Sequence, residues 1–251
     1  MRFDLVTIFP RLFDGALAEG IVRRAIERGI VDITVHDLRD YAADRHRSVD
    51  DVSYGGGPGM VFKPEPLFKA VDAIRAEGEV DAVILTSPQG RPFTQRDAGR
   101  LALMRRVAVL CGRYEGIDDR VREALVTDEI SIGDYVLSGG ELPALVIVDA
   151  VVRLLPGAVG DEESVVAESF SRGLLDFPHF TRPAEFRGLK VPDVLLSGHH
   201  EDIRRWRKRE ALRRTVRQRP DLLESAELDS EEREMLRALL EERGADDERH
   251  C

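Results

Sequence analysis

Residues 80 to 120 read VDAVILTSPQGRPFTQRDAGRLALMRRVAVLCGRYEGIDDR, and they set the class of fold. Val80–Thr86 and Val107–Cys111 are short apolar runs rich in β-branched residues, long enough for a strand and too short for a typical helix. Between them, Thr94–Met104 carries apolar residues at three- and four-residue intervals, with Thr94 where an N-cap belongs. Outward from this unit the alternation continues. Phe3–Phe9, Val31–Val35 and Glu129–Ile132 are further strand-like runs, while Ile21–Arg28, Glu65–Ala76 and Asp118–Leu125 have helical spacing, the last with Asp118 as N-cap. A helix of about Glu141–Leu154 closes the pattern before Pro156-Gly157. The expected class is α/β, with a mostly parallel sheet covered on both faces, over residues 1–156.

Residues 157–198 hold little periodic hydrophobicity and many turn formers, among them Gly157, Gly173, Pro178, Pro183 and Gly198, and read as an interdomain linker. His199–Gln218 and Ser230–Arg243 look helical, the second with Asp229 as N-cap, so residues 199–251 are expected to form a small all-helical domain. Composition agrees with a globular chain: 251 residues, 43% hydrophobic and 33% charged, exclude disorder throughout. The longest mainly apolar run, Leu142–Leu155, is broken by Asp149 and Arg153 and falls short of the roughly 20 residues of a membrane span. Phe3–Phe9 contains Asp4 and runs into Pro10, which does not read as a signal peptide, and a cytoplasmic location is expected. Cys111, inside an apolar run, and Cys251 have no metal-ligand spacing and suggest neither a disulfide framework nor zinc.

The net charge of −10 is unevenly spread. Asp221–Cys251 accounts for −8 of it, which leaves −2 on residues 1–220. Ile203–Arg219, just before that tail, holds nine Lys/Arg against Glu210 alone. Charge leaves two readings open there: a surface for a polyanion, or a solvated helix whose arginines pair with the acidic tail. Trp206, among these arginines, suits packing of an amphipathic helix with Ile203 and Leu212 better than base stacking.

Three of the strand-like runs lead into glycine loops: Ser87-Pro88-Gln89-Gly90, Gly112-Arg113-Tyr114-Glu115-Gly116, and Gly133 to Pro143. Ligands of open α/β sheets bind at the carboxyl ends of strands, and glycine lets a ligand approach the main chain, so an adenine or ribose could be held there. No G-x-G-x-x-G follows the first strand and no G-x-x-x-x-G-K-[ST] occurs, which excludes the usual dinucleotide and P-loop modes. A fourth glycine cluster, Gly55–Gly59, forms a separate loop.

VDDVSYGGGPGMV (Val49–Val61), LTSPQG (Leu85–Gly90), LCGRYEGIDDR (Leu110–Arg120), the run from Glu129 to Gly157, GLLDFPHFTRP (Gly173–Pro183) and VPDVLLSGHHEDIRRWR (Val191–Arg207) together resemble the bacterial tRNA (guanine-N1)-methyltransferases of the SPOUT class. The resemblance spans nearly the whole chain. It implies a trefoil knot at the end of the α/β domain, which periodicity could not reveal. It also implies S-adenosylmethionine as cofactor, bound by Leu85, Ser87 and Pro88, by Gly112, Tyr114 and Glu115, and by Ser131, Ile132, Gly133, Asp134, Tyr135, Val136, Leu137, Gly139, Gly140 and Pro143. The implied partners are tRNA and a second copy of the chain, in a homodimer whose subunits share the substrate site. Mg²⁺ is a further expectation, with Glu115 or Glu168 near it.

The implied reaction places a methyl group on N1 of guanosine 37, next to the anticodon. N1 must lose its proton, so a carboxylate base is needed, and a cation at O6 would stabilise the charge that appears there. By family position the cation is Arg153, though an ion pair with Asp149 is a purely structural alternative. At the base position the family usually carries Asp and this chain has Glu168, with Asp176 a competing acid. Ser53 stands where the family usually has proline. Asp50, Gly59, His179 and Arg182 match substrate-contacting positions. Two other outcomes stay open: a SPOUT ribose 2′-O-methyltransferase, and a relative that binds RNA or cofactor without catalysis.

Overall fold

A computed structural model describes residues 1–160 and 168–248. The chain divides into two compact units, Met1–Glu162 and Glu163–Cys251.

In the first unit the strands are β1 (Arg2–Thr7), β2 (Asp32–Asp37), β3 (Asp50–Val52), β4 (Met60–Phe62), β5 (Ala82–Pro92), β6 (Arg106–Cys111) and β7 (Asp128–Ser131). Five of them form one sheet in the order β2-β1-β6-β5-β7, parallel at every junction, and β3 and β4 make a separate antiparallel hairpin. The helices are α1 (Asp14–Leu17), α2 (Gly20–Glu27), α3 (Pro64–Ala76), α4 (Gln95–Ala102), α5 (Asp119–Leu125) and α6 (Glu141–Val152). Thr94 caps α4 in a reciprocal box with Asp97, and Asp118 caps α5 by accepting from the Arg120 N–H.

Side chains alternate along each strand, and in a parallel sheet both faces are buried. Phe3, Leu5, Ile84, Val107 and Val109 pack on one side with Ala98 and Leu101 of α4 and Ile147, Val148 and Val151 of α6. Val6, Val83, Leu85, Ala108 and Leu110 pack on the other with Leu67, Val71 and Ile74 of α3 and Val121 of α5. Cys111 is buried in the first cluster, where burial, then the nearby Glu141 charge, pushes its thiol well above the ordinary value; it is a core residue without nucleophilic character.

β5 runs six residues beyond the apolar stretch visible in the sequence. Its pairing with β7 skips: Thr86 and Arg91 both stand opposite Ile130, and Ser87–Gly90 bulge out between them. Gly90 makes this crossing, since a Cβ there would sit 2.5 Å from the Glu129 carbonyl carbon.

In the second unit, described from residue 168 onward, the elements are β8 (Glu185–Phe186) and β9 (Leu189–Lys190), which pair as a short hairpin, then α7 (Asp193–Leu196), α8 (His200–Gln218) and α9 (Ser230–Glu248). Leu174, Leu212 and Leu239 form its buried core. Asp229 caps α9 in a reciprocal box: its carboxylate accepts from the Glu232 N–H (2.8 Å), and its own N–H donates to Glu232 (2.9 Å). Arg172 donates to both Glu232 oxygens, and Leu175 N donates to Thr215 Oγ1 in α8 (2.9 Å). Residues 168–177 are thereby packed onto the helices. Gly173, at φ +75° and with Ala226 Cα 2.9 Å from where a Cβ would lie, allows that approach. Leu212 is fully buried, whereas Ile203 and Trp206 are half-buried on another side of α8, Trp206 beside Phe180.

A charged pair, Asp4 of β1 and Arg106 of β6, is buried in the sheet of the first unit. Asp4, fully inaccessible, accepts from Arg106 Nε (2.7 Å) and Arg2 Nη2 (2.9 Å), with His36 Nε2 at 2.9 Å. Burial alone would raise its pKa, but hydrogen bonds from His36 and Arg106 and the charges of Arg106 and Arg2 outweigh it and hold the carboxyl at about 2. A carboxyl depressed in the folded state stabilises above its unfolded value of 3.8, and that contribution is lost as pH falls through about 2. Asp4→Asn is expected to destabilise by about 3–5 kcal/mol, because Arg106 loses its buried partner, and to flatten the acid limb of stability between those pH values. Urea titrations from pH 5 to 2 check this; an unchanged acid limb would show that Asp4 does not set it.

Candidate active site

The loops at the carboxyl ends of β5, β6 and β7 surround an open cavity of about 170 Å³. That is the position where open α/β sheets bind ligands. The first wall is the bulge Ser87–Gln89. The second runs from Gly112 to Ile117 and is tied to the β3–β4 hairpin, since Glu115 N donates to Met60 O and Phe62 N to Gly116 O, both at 3.0 Å. Tyr114, at φ +60°, sets its ring edge-on to Phe62. The third wall runs from Ile130 to Pro143, with Ser131 Oγ bonded to both the carbonyl (3.0 Å) and the N–H (3.2 Å) of Gly133.

Fifteen of the sixteen positions expected to bind cofactor line this cavity; Asp134 is exposed outside it. Exposed Tyr114, Tyr135, Val136 and Leu137 give its mouth apolar surface, and the glycines give it backbone. Such a mix suits a ligand with a flat base and a polar sugar.

At the floor the three loops touch. Gly140 N donates to Gly112 O (2.8 Å), and Thr86 Oγ1 lies 3.2 Å from the carbonyl oxygens of both Leu110 and Gly140. A Cβ on Gly140 would overlap Thr86 Oγ1 and lie 2.8 Å from Gly112 N. Immediately beyond, Glu141 is 1% exposed at the start of α6. It accepts from Thr7 Oγ1 (2.7 Å) and from Arg113 Nε and Nη2 (3.1 Å each), and Arg113 lies over the Phe9 ring (4.3 Å). This network joins the ends of β1 and β6 to the head of α6.

Sequence reasoning missed Glu141, Thr7, Thr86 and Arg113. An acid opening a mostly apolar helix was the available signal for Glu141, because a buried carboxylate needs a partner. Arg122, whose Nη2 donates to Gln89 (3.0 Å), was also missed; both residues line the cavity.

The remaining candidates lie elsewhere. The β3–β4 hairpin brings Asp50 and Gly59 near the second wall, and a Cβ on Gly59 would meet the Glu115 side chain at 2.5 Å. Arg153 caps the far end of α6, about 20 Å of helix from Gly140 at 1.5 Å per residue. There it lines a separate hollow with Asp149, Val146 and Leu17. Glu168, Asp176, His179 and Arg182 belong to the second unit. Both Asp176 oxygens are engaged, one by its neighbour Phe177 N (2.8 Å) and one by His179 Nε2 (2.8 Å). Among the described residues no group of three His, Cys, Asp or Glu side chains is arranged to hold a metal, so the expected Mg²⁺ near Glu115 or Glu168 finds no ready-made site.

Comparison with known proteins gives this arrangement its relatives. The family model described as tRNA (Guanine-1)-methyltransferase TrmD matches residues 1–225. The chain belongs to that family. It is similar to proteins named tRNA (guanine-N(1)-)-methyltransferase from Pelotomaculum thermopropionicum, with 57% identity over 242 residues, 96% of each chain. The same name is carried by a protein of Geobacter metallireducens, 55% identical over 96% of this chain and 98% of its own. Another, from Brevibacillus brevis, is 55% identical over 97% of this chain and 100% of its own. The family match reaches past α6 and through α8, so Arg153 and Glu168 both fall inside it.

Two substitutions test the cavity floor. Gly140→Ala is expected to lower the unfolding midpoint sharply, because the methyl group overlaps a side chain and a backbone that cannot both move. Glu141→Ala should cost about 3–5 kcal/mol by stranding Arg113 in a half-buried position. Differential scanning fluorimetry of both variants measures this; wild-type midpoints would show the floor to be tolerant.

Proposed function

We propose that the chain is an enzyme transferring a methyl group from S-adenosylmethionine to N1 of guanosine 37 in tRNA, next to the anticodon. Membership of the tRNA (guanine-1)-methyltransferase family carries this reading, and the cavity at the ends of β5, β6 and β7 supports it. S-adenosylmethionine, when bound, supplies a methyl group on a positively charged sulfur. The glycine-rich walls would hold its adenosine through main-chain groups, with apolar contact from Leu137 and Tyr135 at the mouth.

Guanine N1 is protonated at neutral pH and is a poor nucleophile until the proton leaves. Glu168 takes that proton, with one methylene more than the aspartate usual at this position, and the Arg153 guanidinium stabilises the negative charge that moves to O6. Asp176, with both oxygens engaged, suits holding His179 in place. In this scheme residues 1–156 hold the cofactor, residues 157–198 carry the base, and residues 199–251 hold the tRNA. The trefoil knot implied by the family belongs to the first of these; the tight contact of residues 139–141 with Thr86 and with residues 111–113 supports it. Work in the cytoplasm follows from a tRNA substrate, and no described helix is long and apolar enough to cross a membrane.

The working form is a homodimer. Arg153 and the cofactor cavity sit at opposite ends of α6 in one chain, so one chain alone does not bring the cation to the cofactor. Leu142 and Val146, 56% and 45% exposed, continue toward Asp149 and Arg153 at helical spacing, an apolar stripe that a second copy would cover. In the dimer, each site takes its cavity from one subunit and Arg153 from the other.

Three measurements test the scheme. Nucleoside digestion of methylated tRNA should yield 1-methylguanosine, and a 2′-O-methylated nucleoside would overturn the assignment. Glu168→Gln should slow single-turnover methylation by about 10²–10⁴-fold with cofactor affinity retained, and Glu168→Asp should keep substantial activity; a wild-type rate in Glu168→Gln with Asp176→Asn inactive would move the base to Asp176. Mixing inactive Arg153→Ala with inactive Ile132→Arg, which fills the cavity, should restore about a quarter of wild-type activity through mixed dimers. No restoration would place Arg153 and the cavity in the same subunit.

A further inference from the structure

The basic run Ile203–Arg219 is divided by the fold into two unlike faces. At about 100° per residue, Arg204, Arg205, Lys208 and Arg209 fall on the side of α8 that also carries buried Leu212, Thr215 and Val216. This side is occupied by the acids of α9 and the residue before it. Arg204 pairs with Glu231 at 2.9 Å, Arg205 with Glu231 at 3.2 Å, Lys208 with Asp229 at 2.5 Å and Arg209 with Glu242 at 3.1 Å. Arg219, past the helix end, pairs with Asp221 at 2.6 Å. Five of the nine cations are thus matched by the tail.

The other side carries Trp206, Arg207, Glu210, Arg213, Arg214 and Arg217. Arg213 is paired with Glu210. Among the described residues, none of Arg207, Arg214 and Arg217 has a carboxylate within ion-pair distance. Arg207 lies instead over the ring of Phe177, 4.9 Å from its centre, and Arg214 donates to the Asp176 carbonyl at 3.2 Å. The segment alongside adds rings: His179 beside Phe177 at 4.6 Å and Phe180 beside Trp206 at 6.3 Å, with His179 and Phe180 well exposed.

Resting on the tRNA reading above, we propose that the face formed by Arg207, Arg214 and Arg217, with His179 and Phe180, grips the tRNA, and that the acids of α9 keep the opposite face out of the contact. A cation already paired with a carboxylate must break that pair before it meets a phosphate, and it releases no counterion in doing so. An arginine stacked on an aromatic ring is held extended and loses little freedom on binding. Arginines interleaved with exposed rings suit nucleotides that are unstacked, as in a loop, better than a regular duplex. In the segment that supplies the rings, Asp176 N donates to Ser169 Oγ (2.9 Å), next to Glu168, so a grip here acts on the stretch that carries the proposed base.

Filter binding of unmodified tRNA to the full-length protein, repeated across a salt series, tests this. Arg207→Ala/Arg217→Ala should weaken binding by roughly tenfold or more near 0.1 M salt and lower the slope of log K against log salt by about two, with S-adenosylmethionine affinity unchanged. Arg205→Ala/Arg209→Ala should change tRNA affinity by no more than about twofold and leave the slope alone. Arg217→Glu, exposed and in no described contact, carries the same expectation singly should the double variant unfold. Equal losses from the two pairs, or the reverse ranking, would overturn the proposal. If the wild type binds and methylates tRNA while Arg207→Ala/Arg217→Ala and Arg217→Glu bind normally, this face is wrong and the function stands; if the wild type does not bind tRNA, the function itself is wrong.

Discussion

The seating of Gly140 against Thr86 and the Gly112 peptide is the constraint on which the functional end of the sheet depends. Strand order sets the loops after β5, β6 and β7 side by side, and that contact draws them together at the floor of one cavity. The approach is close enough that a single methyl group cannot be inserted. Directly behind it, Glu141 is held by Thr7 and Arg113, so the end of β1, the loop after β6 and the head of α6 are fastened through one carboxylate. A charge buried at the first turn of a helix is favoured by the helix dipole as well as by its partners. The cavity is therefore shaped by the protein's own contacts.

Most of the architecture of the first unit was readable from the chain. Val107–Cys111 and Val83–Thr86 alternate between two apolar faces, and a short run buried on both sides has few alternatives to a central parallel strand. Thr94 and Asp118 announced the helices they cap. The continuation of β5 through Ser87–Gly90 was not readable, because a bulge is decided by what its partner strand offers, and Pro88 and Gly90 look like a loop in any local window. Buried Asp4 escaped notice for a related reason: its partners Arg106 and His36 are distant in sequence, and their meeting depends on strand order.

For the site, the glycine loops marked the right region, while the side chains that hold them together went unseen. Glycine signals itself by type alone, whereas Arg113 and Glu141 matter only as a pair. Residues 168–177 show the opposite failure. Their turn formers suggested a linker, yet Gly173 is there to let the chain lie against Ala226, and Leu174 joins the core of the helical unit. Turn residues describe the path of a chain and say little about what it packs on. Charge in α8 was legible as a sum but not as a pattern, since pairing with α9 follows from helix phase.

The contact at Gly140 also bears on the order in which the protein can be assembled. Residues 86 and 110–113, against which Gly140 must lie, are all made before residue 140 when the chain is synthesised from its amino end. The loops after β5 and β6 can thus form while the segment that locks them is still within the ribosome. A rearranged chain that opened at α6 and carried β5 and β6 later would have to fit those loops around a segment already present, with no room for a methyl group to spare. For this protein, the direction of synthesis and the close seating of Gly140 run the same way.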